Sequence, residues 1–376
     1  MYKKYFYISL LILSCMPFGM FSSTNSIASN NGTLAPTTST KVVGQIPSGT
    51  IYILNDTAFS SNYNLPGSGT KDDPYRIENY NITPDQFYGI GISDVTKYVV
   101  IKNCTIDASN GISIDWVAPG RVQIISNYIT HAHNGINIYL SDGVLIANNT
   151  LVDTYDYSFS VDSSNGVNII GNSFINSNGS RAITKSRDII FSNNTIKNTL
   201  QPGLSLQNSD NVSVLNSQIS SNNMGIELVN SSNNNFIGNN VSFNTNYGLS
   251  LDANSHNNII YYNQFQTNNK NYNTKSQGLD DGNGNYWYSK DYKIGNYWSD
   301  WNTGDYLLDG LAQNKDIYPL TMPQYTSIDL QTFTIASSLT TSLVTTTPTS
   351  SLDMSFIGMI LGSLVLVSVT LVRRKR

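Results

Sequence analysis

The sequence predicts an all-β solenoid, a parallel β-helix of about eight to nine coils. Three observations predict it. First, a hydrophobic residue returns at Ile106, Ile129, Leu151, Phe174, Ile196, Ile219, Val241 and Phe265, at intervals of 23, 22, 23, 22, 23, 22 and 24. Second, a small polar residue stands two places earlier each time: Cys104, Asn127, Asn149, Asn172, Asn194, Ser217, Asn239 and Asn263, six of the eight being Asn. Third, each period holds short alternating apolar runs and leaves no room for a helix of about ten residues, which excludes helical and leucine-rich repeats.

The alternating runs justify the strands. One reads Gly-apolar-polar-apolar, as in Gly111 to Ile114, Gly135 to Ile138, Gly203 to Leu206, Gly225 to Leu228 and Gly248 to Leu251. Period-two alternation rich in β-branched residues is the pattern of a half-buried strand. A second run precedes the Asn phrase, as in Val99 to Ile101, Val122 to Ile125 and Val167 to Ile170. With the Asn phrase itself this makes three short strands per coil. Coils then stack at the spacing of paired strands, about 4.8 Å, and the whole solenoid is about 40 Å long.

The Asn column is expected to be structural. A tight turn favours a residue that tolerates left-handed backbone angles, which Asn does, and its amide both donates and accepts. Stacked Asn side chains can therefore bond from coil to coil, and Cys104 fits the column as a small, apolar-like member. Asn-x-Ser/Thr matches at Asn148 and Asn193 lie beside this column, so glycosylation is expected rather at Asn31 or Asn55.

The flanks are read in order. Residues 1–23 resemble a secretory signal, with Lys3 and Lys4 before an apolar stretch from Tyr5 to Phe18. Residues 24–45 are a Ser/Thr/Asn-rich flexible lead-in, 46–98 an N-terminal cap and first coil, 99–275 the repeats, and 276–334 an aromatic C-terminal cap. In that cap Trp287, Trp298 and Trp301 are expected to cover the open edge of the solenoid, which would otherwise invite pairing with other chains. Residues 335–352 read as a Ser/Thr-rich stalk. Residues 353–376 read as a transmembrane helix with a basic cytoplasmic tail, because Met354 to Val372 is uncharged and Arg373, Arg374, Lys375 and Arg376 follow. The body is thus expected outside the cell, anchored by a single C-terminal pass.

Composition narrows the function classes. The net charge of −4, with no basic stripe outside the tail, argues against nucleic acid as a partner. Cys15 lies in the signal, so Cys104 has no intramolecular disulfide partner in the mature chain.

Because coils stack, residues of equal phase form surface columns. One column carries Asp115, Tyr139 and Asp162 in successive coils. Two carboxylates two coils apart stand about 10 Å apart at the backbone, compatible with the roughly 6.5–9.5 Å of an inverting glycosidase, and Tyr139 between them offers a platform for a sugar ring. A solvated polar face is the plain alternative. Arg181 breaks the pattern, since aligning Ile183 with Ile138 and Val161 puts it where Ile136 and Phe159 point inward. It is read as a third candidate catalytic residue, or as a bulge with a surface ion pair.

A second constellation is a turn with His131 and His133, against which the repeat phase stacks Asp107 on His131 and places Asp156 in the column of His133. Two imidazoles and two carboxylates suit copper or zinc, and ordinary surface polarity is the alternative. The run Asp281 to Asn285 alternates oxygen ligands but has Tyr286 and Tyr292 where a calcium loop has Gly and Glu, so a turn is expected there rather than calcium. Glu227, among Ser205 and Ser250 in the outward column of the Gly-strands, is expected only to hydrogen-bond.

Both ends of the solenoid carry recognisable phrases. Upstream stands Gly67-Ser68-Gly69-Thr70-Lys71-Asp72-Asp73-Pro74-Tyr75-Arg76-Ile77-Glu78-Asn79. Downstream stand Gly295-Asn296-Tyr297-Trp298-Ser299-Asp300-Trp301 and Lys315-Asp316-Ile317-Tyr318-Pro319-Leu320. With the Asn-rich repeats between them, residues 60–322 resemble the NosD-type right-handed β-helix family, named for a periplasmic protein of copper-site maturation. The resemblance implies a right-handed solenoid strongly and a function weakly. Three functions are therefore expected in order: a surface module that binds carbohydrate, or adheres to glycans or other surface proteins; a polysaccharide hydrolase or lyase at the Asp115/Tyr139/Asp162 face; and copper or zinc binding at His131/His133.

Overall fold

A computed structural model describes residues 49–83, 87–178, 183–269 and 276–323 of the chain, all within one compact unit. The signal, lead-in, stalk and membrane-anchor readings, and Arg181, lie outside the described residues. Among the described residues no helix is long and apolar enough to cross a membrane.

Three parallel sheets enclose one core. Sheet 1 has ten strands, from Ile51–Ile53 through Asn110–Asp115, Asn134–Tyr139 and Tyr157–Asp162 to Gly278–Asp280. Sheet 2 has nine, from Tyr75–Glu78 to Ile259–Tyr261, and sheet 3 has ten, from Asn81–Ile82 to Tyr297–Trp298. Each coil gives one strand to each sheet, in the order sheet 2, sheet 3, sheet 1, so sheet 2 counts nine coils.

The register explains the period. In sheet 2, Ile77, Ile101, Ile124, Ile146, Ile169 and Phe191 are in line, each fully buried. In sheet 3, Ile106, Ile129, Leu151, Phe174 and Ile196 are in line and buried likewise. Each such side chain contributes about 1.5–3 kcal/mol by leaving water, and a one-residue slip would expose a whole column. The glycine near the start of several sheet 1 strands, such as Gly111, Gly135, Gly203 and Gly225, has a steric cause. A Cβ on Gly135 would lie 2.1 Å from the carbonyl oxygen of Ser158 in the next coil.

Most corners of the coil turn on a left-handed residue followed by a buried one. After sheet 2 the left-handed residues include Asn103, Ser126, Asn148, Gly171, Asn193, Asn216, Gly238 and Tyr262, each immediately before a ladder residue. This corrects the expectation drawn from the sequence. The ladder residues do not supply the positive φ, because their side chains are needed inside the turn. Asn127 donates through its backbone N and Nδ2 to Asn149 Oδ1, both at 2.9 Å, and Asn149 does the same to Asn172 Oδ1 at 2.8 and 3.0 Å. Cys104 stands at the start of this run, its backbone N donating to Asn127 Oδ1 at 3.0 Å.

A second ladder lies at the corner after sheet 1. Ser141, Ser164, Ser186, Ser209, Ser231 and Ser255 each accept a backbone N–H from the preceding coil, at 2.9–3.2 Å. A third, after sheet 3, runs from Thr199 through Asn222 and Asn244 to Asn268.

The C-terminal end is closed by aromatic rings and buried carboxylates. Trp298 stacks between Phe265 and Tyr306, with ring centroids 4.4 and 4.0 Å away, and Trp287 packs beside it at 5.8 Å. Trp301 is only partly buried, its indole N–H donating to Gly304 O. The Asn263 ladder continues to Asn296 and ends on Asp316, which accepts Asn296 N at 2.6 Å and Trp298 Nε1 at 3.0 Å. Burial pushes the Asp316 carboxyl above the usual range, and these donors partly offset that. A parallel run, Asn234 to Asn258 to Asn285, ends on Asp280, which also takes the Trp287 indole at 2.8 Å.

Candidate functional site

Sheet 1 brings Asp115, Tyr139 and Asp162 into one column, directly paired across neighbouring strands. The Asp115 carboxylate is half-buried and accepts from Ser113 Oγ at 2.8 Å. Burial pushes its pKa up, Ser113 pulls it down, and the charge of Asp94 adds to the rise. Asp162 accepts from Ser163 Oγ at 2.8 Å. Two residues back along the strands Asn137 Nδ2 donates to Ser113 Oγ at 3.4 Å, and at their far end Asn134 Nδ2 donates to Asn110 Oδ1 at 2.8 Å. The face is thus a hydrogen-bonded array of hydroxyl, amide and carboxylate groups.

Sequence reasoning missed the residue that gives this face its character. Trp116 follows Asp115 and turns the corner after sheet 1 with φ 56. The same corner position in other coils holds Asp94, Leu140, Ser163, Lys185, Asn208 and Asn230. A bulky side chain in left-handed backbone is strained, and such strain collects at binding and catalytic positions. Trp116 is 57% exposed, and its ring meets Tyr139 edge to face, centroids 6.1 Å apart at 82°. In that geometry the two rings cannot cover each other, so an aromatic face stays open to solvent beside Asp115. The available signal was the one aromatic residue at a phase where Asp94, Leu140, Ser163, Lys185, Asn208 and Asn230 stand in other coils. A further exposed group, Phe87, Tyr88 and Tyr52, lies at the N-terminal side of the same sheet, with Tyr88 within 5.4 Å of Tyr52 and 4.7 Å of Phe87. Glu227 accepts from Ser205 Oγ at 3.4 Å.

The four metal candidates separate into two pairs. Asp107 is aligned with Thr130, not with His131 as the repeat phase suggested, because His131 is itself the left-handed corner residue. Its Nδ1 still reaches back to Asp107 Oδ2 at 3.3 Å. His133 Nδ1 lies 3.6 Å from Asp156 Oδ2, in the opposite direction along the stack, with Tyr155 against its ring at 5.2 Å. Among the described residues no three of His, Cys, Asp and Glu come together as a group able to hold a metal ion. Cys104, the one thiol there, is buried, and its pKa is pushed up to about 11 by that burial. The expected calcium-like run is a closed turn: Asp280 accepts Gly282 N and Asn285 Nδ2, and Asp281 accepts Leu311 N at 2.7 Å.

No curated protein matches the chain. Among solved structures it is similar to the periplasmic alginate epimerase AlgG, at 20% identity and TM-score 0.44, covering 55% of this chain and 57% of that one. It is also similar to the A-module of the Azotobacter vinelandii mannuronan C-5 epimerase AlgE4, at 10% identity and TM-score 0.37, covering 57% and 70%. A third is tailspike protein 3 of bacteriophage CBA120, at 9% and 0.32, covering 67% and 49%. The chain thus spans little more than half the length of the first of these. The family described as periplasmic copper-binding protein (NosD) matches residues 99–303. Among the described residues the donors stand as two His–Asp pairs with no group of three, and the one thiol is buried. By its repeats, its end phrases and this match over more than half its length, the chain belongs to the NosD-type right-handed parallel β-helix family.

Proposed function

We propose that the protein binds carbohydrate on the face formed by Trp116, Tyr139 and Asp115, and that it does so outside the cytoplasm. The carrying observation is Trp116: an exposed indole held in left-handed backbone against Tyr139. The apolar face of a sugar ring packs on such a surface, while its hydroxyls meet fixed donors and acceptors such as Ser113, Asn137 and the two aspartates. Location outside the cytoplasm fits the leader-like residues 1–23 and the periplasmic description of the family. Anchoring through residues 353–376 and a display or adhesive role complete the proposal.

The test is a panel of soluble glycans titrated against the protein while its tryptophan emission is followed. Of the four tryptophans, Trp287 and Trp298 are buried, so a saturable change that Trp116→Asn abolishes reports this face. A glycan that binds equally well to Trp116→Asn removes the proposal.

A hydrolytic reading of the same face has one observation in its favour. Asp115 is half-buried, and its carboxyl is pushed upward as a general acid requires. Release of new reducing ends, lost in both Asp115→Asn and Asp162→Asn, would establish it. Binding without turnover leaves the face as a lectin-like surface.

A further inference from the structure

The corner after sheet 1 carries more than Trp116. Trp116, Leu140, Ser163, Lys185, Asn208 and Asn230 occupy one phase in six successive coils; the first five donate their backbone N–H to a carbonyl of the next coil, and Asn230 N donates to Asp252 Oδ1. Two residues further along the chain runs a second exposed column. In it Asn165 N donates to Asp142 Oδ1 at 2.7 Å, Arg187 N to Asn165 Oδ1, Ser232 N to Asp210 Oδ1, and His256 N to Ser232 Oγ. Between the two columns runs the buried serine ladder. At one end of this corner the surface is concave, a cavity of about 330 Å³ whose lining includes Asn208, Asp210, Asn230, Ser232, Asn254 and His256.

The two ends of this corner differ in chemistry. At Trp116 it is aromatic. At Asn208 and Asn230 it is amide and hydroxyl, with Asn230 Nδ2 bonded to Asn208 Oδ1 at 2.7 Å. Asn283 N donates to His256 Nδ1, so the neutral imidazole carries its proton on Nε2. From Trp116 to Asn208 is four coils, about 19 Å at the spacing of paired strands. A surface that repeats once per coil suits a ligand that repeats at a similar rise, and an extended chain of pyranose rings does.

We infer that the protein binds a linear, uncharged polysaccharide lengthwise along this corner, with the Trp116–Tyr139 face and the Asn208–His256 cavity as two subsites of one track. The inference rests on the carbohydrate reading above and adds the ligand's form and a second site. An uncharged polymer is favoured because the corner carries Asp94, Asp142, Asp162, Asp188 and Asp210 against Lys185 and Arg187. Those acidic groups would repel a polyanion. Two linked subsites raise affinity by avidity once the ligand spans both.

The experiment uses cello-, manno- and chito-oligosaccharides from disaccharide to octasaccharide, titrated against the whole protein by calorimetry. The double variant Asn208→Gly/Asn230→Gly removes the cavity amides and keeps the left-handed backbone, which glycine tolerates. The expected result is an affinity gain of at least about tenfold from short to long members of the binding series, lost in the double variant while the short members bind it unchanged. Short members that bind through Trp116 with no gain on lengthening overturn the track and leave the single face standing. A length gain that survives in the double variant places the second contact elsewhere and overturns the cavity subsite. No binding by any member, with Trp116 emission unmoved, overturns both readings.

Discussion

Replacing Asn172 by Ala tests whether the ladder is a principal source of stability. Asn172 is buried, and its Oδ1 accepts both Asn149 N at 2.8 Å and Asn149 Nδ2 at 3.0 Å. Its own Nδ2 donates to Ile146 O at 2.9 Å and to Asn194 Oδ1 at 3.0 Å. Alanine leaves the Asn149 N–H buried without an acceptor, which costs about 1–3 kcal/mol, and it removes further bonds worth about 0.5–1.5 kcal/mol each. Asn149 Nδ2 keeps Ile124 O, and Asn194 Oδ1 keeps the Asn172 N–H, so the sum is held to about 3–5 kcal/mol. Asn172→Ser provides the control. In the same ladder Ser217 Oγ accepts Asn194 N at 3.2 Å and donates to Leu215 O at 2.9 Å, so serine keeps the essential acceptor. Its cost should be about 1–2 kcal/mol. Urea unfolding followed by far-UV circular dichroism gives the global change, and hydrogen exchange at the Asn149 amide gives the local one. An alanine variant within about 1 kcal/mol of the parent, or no faster exchange at Asn149, would refute the reasoning.

Three further outcomes follow from the same structure. Trp116→Asn should raise stability by up to about 1 kcal/mol, since it removes a bulky residue from left-handed backbone, while it abolishes glycan binding; thermal melts and titration read the two effects together. The Asp115 pKa is raised in the folded state by burial, so its contribution to stability is present below the unfolded value of about 3.9 and is lost as pH rises through the folded value. Asp115→Asn should therefore match the parent at pH about 3 and be the more stable of the two at pH about 7; an advantage confined to acid pH would contradict this. Asp316→Asn should cost about 2–3 kcal/mol, because an amide NH₂ replaces an acceptor on which Asn296 N and Trp298 Nε1 converge. Equilibrium unfolding with tryptophan emission as the probe measures it.

The coil architecture was legible because each coil repeats the same solution, and Ile129 or Asn149 reports its place by phase alone. The serine ladder was equally visible in principle, since Ser141, Ser164, Ser186, Ser209, Ser231 and Ser255 recur at 23, 22, 23, 22 and 24. It passed unread because serine also decorates every surface strand. The left-handed role went to the wrong residue of the Asn-Asn pairs, as sequence does not say which of two adjacent asparagines turns inward. Asp280 and Asp316 end their ladders only because the chain returns from distant coils, and no periodicity encodes that. Trp116 stood one residue beyond the column that was followed. The His131/His133 turn shows the converse: side chains close in sequence diverged once each paired with an aspartate on the opposite neighbouring coil.

Whether the Trp116 corner binds sugar is decided by one titration. The glycan that changes tryptophan emission in the parent protein is titrated by calorimetry into the parent and into Trp116→Asn, with unfolding curves confirming that both are folded. The account predicts saturable binding to the parent and at least about a hundredfold loss in the variant, about 2.7 kcal/mol. Equal affinity for both proteins, or no binding by a folded parent to any glycan of the panel, would contradict it.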